Sequence, residues 1–191
     1  MHGSRVWALA AALLWATPWL TSTEGFVIAP EHFVERHGLV VIVALGESIV
    51  VIGAAATLEL DAGLVLVVLL ALALSASLWW LYFSDEGAVE RAMHDASSER
   101  RPRLALVAFG YWHYGLLLAI VAVAAGLKKA AGDPYDPLDS ASAVELAVGV
   151  ALFTACEVGF RQTLGKGRSG IRLVAAAAAL ATIPLGTQLD A

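Results

Sequence analysis

The chain has 191 residues, of which 59% are hydrophobic and only 15% charged, and its formal net charge is −5. A mean hydropathy of +0.75 excludes an ordinary soluble domain, and the acidic balance without a basic stripe excludes nucleic acid as the expected partner. The single cysteine, Cys156, excludes an intrachain disulfide, and its place in an apolar run indicates a small buried side chain.

Apolar runs that are long enough to cross a bilayer follow one another along the chain. A helix of about 20 residues crosses a hydrocarbon core of about 30 Å, and these runs lack the alternation of barrel strands. We predict an all-α polytopic bundle in one domain, surrounded by lipid, with its oligomeric state open. The predicted spans are 5–20, 37–57, 62–84, 103–127, 141–160 and 170–187.

The basic residues are distributed unequally between the two ends of the predicted bundle. Most Lys and Arg fall in loops 21–36, 85–102 and 161–169, so these loops are predicted to be cytoplasmic and the protein to lie in the inner membrane. Segment 5–20 has a second interpretation as a cleaved signal peptide. An external N-terminus this close to the first span also predicts that the chain is the later part of a longer protein.

Glu47 stands at the midpoint of the second predicted span, in the sequence HGLVVIVALGESIVVIGAAAT. A charge at the bilayer centre costs roughly 2.5 to 3.5 kcal/mol, so Glu47 is predicted to face protein or a water-filled path. The Pro30-Glu31 pair predicts that this helix begins near Pro30. Helical spacing then places Arg36, Val40, Val43 and Glu47 on one stripe.

His113 lies within the sequence YWHY of the fourth span. Counting inward from Arg36 and Arg103 at 1.5 Å per residue puts Glu47 and His113 at a similar depth, which allows a contact between them. Polar residues at such positions also serve only to hold helices together. The predicted ion or proton site is Glu47, His113, Tyr111 and Tyr114, with Arg36 and His37 as its cytoplasmic mouth.

Two further polar pairs are candidates for local interactions. His32 and Glu35 are three residues apart, as are the ligand pairs of carboxylate-bridged metal bundles, but a metal site needs another ligand from a second helix. Glu157 and Arg161 are four residues apart near a helix end, which predicts an ion pair. No phosphate-binding loop, dinucleotide signature or nucleophile elbow occurs, so we predict no cofactor, and enzyme is the less favoured class.

Three segments read HFVERHGLVVIVALGESIVVIG, WWLYFSDE and FGYWHYGLLLAIVAVAAG. In order and spacing they resemble conserved-looking segments of the bacterial low temperature requirement A (LtrA) family. The resemblance covers about residues 30–127 and matches the C-terminal half of such proteins. It implies a multi-spanning bacterial inner-membrane protein without an assigned reaction. The acidic residue of the family's YFD sequence is replaced here by Ser84, and Asp85 follows one place later.

Three functions are compatible with these residues. The first is a membrane protein that moves or senses a small ion or proton through a polar seam around Glu47 and His113. The second is a structural or stress-adaptation component of the membrane that transports nothing. The third is a metal-dependent intramembrane enzyme that uses His32, Glu35 and His37.

Overall fold

The computed structural model describes residues 6, 9–10, 12–13, 15–17, 27–55, 61–166 and 170–188. These ranges contain helices and turns without a β-strand, which confirms the all-α prediction. The described residues between Val6 and Thr17 are helical. The helices that follow are α1 (Pro30–Ala55), α2 (Ala62–Phe83), α3 (Glu86–Asp95), α4 (Arg101–Ala105), α5 (His113–Gly132), α6 (Ser140–Thr163), α7 (Gly170–Ala181) and α8 (Ile183–Gly186). A π-helical stretch, Leu106–Trp112, joins α4 to α5.

Four helical stretches of the described ranges are long and apolar enough to cross a membrane, and they overlap the second to fifth predicted spans. They are Pro30–Ala54, Ala62–Asp95, Arg101–Gly132 and Ser140–Thr163. The sixth predicted span, 170–187, corresponds to the shorter apolar helix Gly170–Gly186. Most of the first predicted span, 5–20, lies outside the described residues. The helical start predicted near Pro30 is confirmed.

Helices α5 and α6 pack so closely that glycine is required where they cross. A Cβ at Gly149 would lie 2.8 Å from the backbone nitrogen of Val123, and a Cβ at Gly126 would lie 2.8 Å from Cβ of Leu146. Separations this short force the backbones apart, so the two glycines set the distance between the helices.

Helix α1 runs parallel to α5, as predicted for spans that enter from the same side. The Phe33 ring packs against Phe109, and the His37 ring packs against His113. Further along, Ser48 and Lys128 line one groove. The side chains that α1 buries are spaced by three, four or seven residues, as on one face of a helix. They are Val34, Val41, Leu45, Ser48 and Ile52.

Two clusters of buried apolar side chains meet near His113. The larger cluster fills the bundle between α1, α2, α5 and α6 and includes Val41, Leu116 and Phe153. The smaller cluster lies at the basic end, under the amphipathic helix α3, and includes Met93 and Phe109. The polar residues described next therefore lie where the bundle core meets the short helices of one end.

Candidate functional site

His113 is the first residue of α5 and is only 2% exposed. Its Nδ1 lies 3.4 Å from the hydroxyl of Tyr82 on α2, and its ring centroid lies 5.2 Å from that of His37 on α1. Three helices thus bring two imidazoles and a phenol together inside the protein. We call His37, Tyr82 and His113 the histidine site.

The hydrogen bonds of the histidine site restrict where its protons reside. His37 Nδ1 lies 2.8 Å from the carbonyl oxygen of Phe33. Since a carbonyl oxygen only accepts, Nδ1 of His37 carries a proton and donates it, which leaves Nε2 as the acceptor in the neutral ring. His37 is partly buried, so it connects the buried His113 with the outer part of the bundle.

The second ring nitrogen of His113, Nε2, is buried and has no hydrogen-bond partner among the described residues. If the Tyr82 hydroxyl donates to Nδ1, then Nε2 carries an unpaired N–H group. If Nδ1 instead donates to the Tyr82 oxygen, then Nε2 has a free lone pair that accepts a proton. A buried polar atom without a partner is costly in a structural role, which marks His113 as a candidate functional residue.

The contact that residue counting allows between Glu47 and His113 does not occur in this structure. Because α1 and α5 are parallel and His37 is level with His113, Glu47 lies ten residues further along α1, about 15 Å away along the axis. The prediction treated Arg36 and Arg103 as level, but the packing of Phe33 on Phe109 places Arg36 about nine residues deeper than Arg103.

Glu47 does not face the core of the described bundle. Arg36, Val40, Val43 and Glu47 do share one stripe, and all four are exposed, so the stripe faces away from the bundle core. Ser48, the next residue, is the buried one. Glu47 borders a surface groove between α1 and α5 that Lys128 also lines.

The two tyrosines predicted for the site lie on another side of α5. The Tyr111 hydroxyl donates to the carbonyl oxygen of Trp15 at 3.0 Å, and the two rings pack edge to face. Tyr114 is 60% exposed. Of the residues predicted for the site and its mouth, the structure therefore brings together His37 and His113.

The pair predicted for metal binding forms a local contact. His32 Nδ1 lies 3.5 Å from Glu35 Oε2, and both side chains are exposed. Among the described residues, no group of three His, Cys, Asp or Glu side chains is arranged to hold a metal ion. The structure thus supplies no further ligand to His32 and Glu35 within those ranges.

A network of four charged residues lies about one helical turn from the histidine site. The predicted pair of Glu157 and Arg161 is confirmed, with Oε1 and Nη1 3.3 Å apart. Arg161 also pairs with Asp85, and Nε of Arg172 lies 2.7 Å from Oε2 of Glu157. We call these residues the charge network; they join the α2–α3 junction, α6 and α7.

Glu157 is 2% exposed and Arg161 is 11% exposed, so the charges of the network are balanced inside the protein. The network is next to the histidine site because Tyr82, three residues before Asp85, packs on Phe160, the neighbour of Arg161. Sequence reasoning missed the roles of Tyr82, Asp85 and Arg172. The available signal was the acidic pair that follows WWLYFS at the end of an apolar run.

The comparisons with known proteins agree with the membrane fold. The sequence model of the bacterial low temperature requirement A protein (LtrA) family matches residues 2–191. An uncharacterized protein of Rhizobium meliloti (strain 1021) is 33% identical over 114 residues, which are 59% of this chain and 27% of the relative. The chain thus matches about a quarter of that protein's length. No solved structure matches the chain. The chain belongs to the bacterial low temperature requirement A (LtrA) family.

Proposed function

We propose that this LtrA-family membrane protein takes up and releases a proton at His113, and so moves or senses protons. The observation that carries the proposal is the buried Nε2 of His113, which has no partner among the described residues, beside a second imidazole and a phenol. A neutral histidine ring has one nitrogen that donates and one that accepts, so it can both take up and release a proton.

A route for the proton runs from the basic end of the bundle through His37. His37 is partly buried, is adjacent to the exposed Arg36, and packs directly against His113. We propose that this end faces the cytoplasm of the bacterial inner membrane, because it carries most of the chain's Lys and Arg. Arg36 and His37 then form the cytoplasmic mouth.

Protonation of His113 changes its bond to Tyr82. The imidazolium donates from both ring nitrogens, so the Tyr82 oxygen must accept from Nδ1 and its own proton must turn elsewhere. Tyr82 packs on Phe160, beside the charge network that ties α6 to α2 and α7. A proton on His113 is thereby coupled to contacts among three helices.

The test measures proton flux into vesicles that contain the purified protein and an internal pH-sensitive dye, under a potassium diffusion potential. We expect His113→Asn to abolish the flux that the wild type supports. Glu47→Gln is the matched control, because it removes an exposed titratable group from the parallel helix. Loss of flux in Glu47→Gln with normal flux in His113→Asn would instead support the site first predicted around Glu47.

A structural or stress-adaptation function is the second candidate, and the charge network favours it. Buried ion pairs that join three elements hold helix ends in place without any transport. This candidate expects His113→Asn to change thermal stability while the pH response of the protein stays the same. We do not propose the metal-dependent enzyme, since the described residues form no group of three metal ligands.

A further inference from the structure

We propose that the outer face of α5 and α6 binds one anionic phospholipid, with its phosphate at the basic end and an acyl chain along the helices. The site is separate from the histidine site, which lies on the inner side of α5. It consists of an apolar groove and a linked hollow that basic side chains border. Of the residues predicted from the sequence as an ion site, Tyr111 and Tyr114 line the groove, and none lines the hollow.

The apolar groove has a volume of about 1000 Å³. Its walls come from the π-helical stretch, α5 and α6, and Trp15 closes one side through the hydrogen bond from Tyr111. Tyr114 and Leu118 on its border are 60% and 52% exposed, so the groove opens outward at membrane depth. The residues that line it include Val107, Tyr114, Gly115, Leu118, Leu152 and Cys156.

The length of the groove suits one acyl chain. From Val107 to Leu118 the helix advances about 17 Å, which is close to half of a hydrocarbon core of about 30 Å. At the floor of the groove, Gly115 lets α5 approach α6 closely, since a Cβ there would lie 2.5 Å from Sγ of Cys156. The floor is narrow as a result. The groove is therefore about as long as the acyl chain of one leaflet.

At the basic end the groove meets a small, mostly apolar hollow that two arginines border. Val107 lines both the groove and this hollow of about 210 Å³, whose other lining residues include Arg100, Arg103 and Thr163. A second hollow, which Arg100 also lines, adds Lys166 and Asp95 and is more polar. The apolar groove is therefore linked to a surface that basic side chains border.

The cations of these hollows are available for a ligand. The ion pairs of the described residues do not include Arg100, Arg103 or Lys166. Their neighbour Arg101 is already used, since its guanidinium donates to the carbonyl oxygens of Met93, His94 and Ala96 at the end of α3. Unpaired basic residues at headgroup level above an apolar groove are complementary to a phosphodiester with an acyl tail.

The test titrates the purified, delipidated full chain in detergent with phosphatidylglycerol or phosphatidylcholine of identical acyl chains, and native mass spectrometry counts the bound lipid. At roughly 1 kcal/mol for each basic side chain, the two arginines together favour phosphatidylglycerol over phosphatidylcholine by about thirtyfold. The double variant Arg100→Gln with Arg103→Gln should therefore lose about thirtyfold of the preference. The control, Arg91→Gln with Lys128→Gln, removes two exposed basic side chains elsewhere on the chain and should keep the preference.

A second variant tests the groove and does not depend on the folding of the arginine variant. Leu118→Trp places a bulky side chain at an exposed border of the groove and should weaken phosphatidylglycerol binding at least tenfold. Unchanged lipid binding in Leu118→Trp, or displacement of the lipid by millimolar glycerol phosphate, would show an anion site without an acyl site and overturn the proposal. Equal affinity of the wild type for the two lipids would also overturn it.

Discussion

The charge network provides a quantitative prediction about the stability of the bundle. Replacing Arg161 by Met removes the shared partner of Glu157 and Asp85. Asp85 is 45% exposed and can be solvated, but Glu157 is 2% exposed and is left with Arg172 alone. Breaking a buried pair by removing one partner costs about 3 to 5 kcal/mol, so we expect a loss of unfolding free energy of that size.

A compensating substitution tests whether the buried charge is the cause of this loss. Glu157→Gln in the Arg161→Met background neutralises the buried carboxylate, which keeps only Arg172 as a partner, and should recover about 2 kcal/mol. The assay is reversible unfolding in mixed micelles, followed by tryptophan fluorescence. The matched control is Lys129→Met, which breaks an exposed pair of the same spacing with Asp133 and should leave stability nearly unchanged.

A loss of less than about 1 kcal/mol in Arg161→Met would refute this reasoning, because that is the range of an exposed ion pair. Failure of Glu157→Gln to recover any stability would refute it as well. Either result would mean that the four charges are solvated in the membrane protein, and the network could then not hold the ends of α6 and α7 together.

Three further predictions concern helix packing and helix ends. Gly149→Ala should destabilise the bundle by about 1 to 3 kcal/mol in the same unfolding assay, because its Cβ would lie 2.8 Å from the α5 backbone. Gly53→Ala is the control: its Cβ would meet nothing within 4 Å, so the stability should not fall. The Ser142 hydroxyl and backbone amides hold the pKa of Asp139 below its usual range. The ionised Asp139 carboxylate therefore stabilises the folded protein at pH values above its unfolded-state pKa, and this stabilisation is lost as the pH falls through its folded-state pKa. Asp139→Ala should lower the melting temperature at neutral pH and much less in acid. Arg101→Met should speed proteolysis within residues 85–100, because it removes three hydrogen bonds to the end of α3; unchanged cleavage would contradict that role.

Much of the fold follows from the sequence because the membrane sets the length of each apolar run. Four predicted spans overlap helical stretches long enough to cross a bilayer, and Pro30 begins α1 as its fixed φ predicts. The pair of Glu157 and Arg161 was also predictable, since residues four apart on a helix are neighbours. These features depend on local geometry alone.

The candidate site was less predictable because it depends on how helices pack against each other. Spacing on α1 correctly placed Arg36 and Glu47 on one stripe, but both faces of that helix are apolar, so no pattern indicates which face is buried. Counting residues inward from Arg36 and Arg103 gave the wrong relative depth, because the packing of Phe33 on Phe109 sets how far α1 is shifted along α5. The π-helical stretch before His113, with its i→i+5 bonds, further weakens any count made along that segment.

The most direct test of the account is the protonation of His113 itself. Protein labelled with ¹⁵N in the histidine rings is placed in lipid nanodiscs, and the ring signals are followed against pH, with His113→Asn to assign them. We predict that His113 passes from the neutral to the charged form in folded protein. A His113 ring that stays neutral over the whole pH range in which the protein remains folded would contradict it.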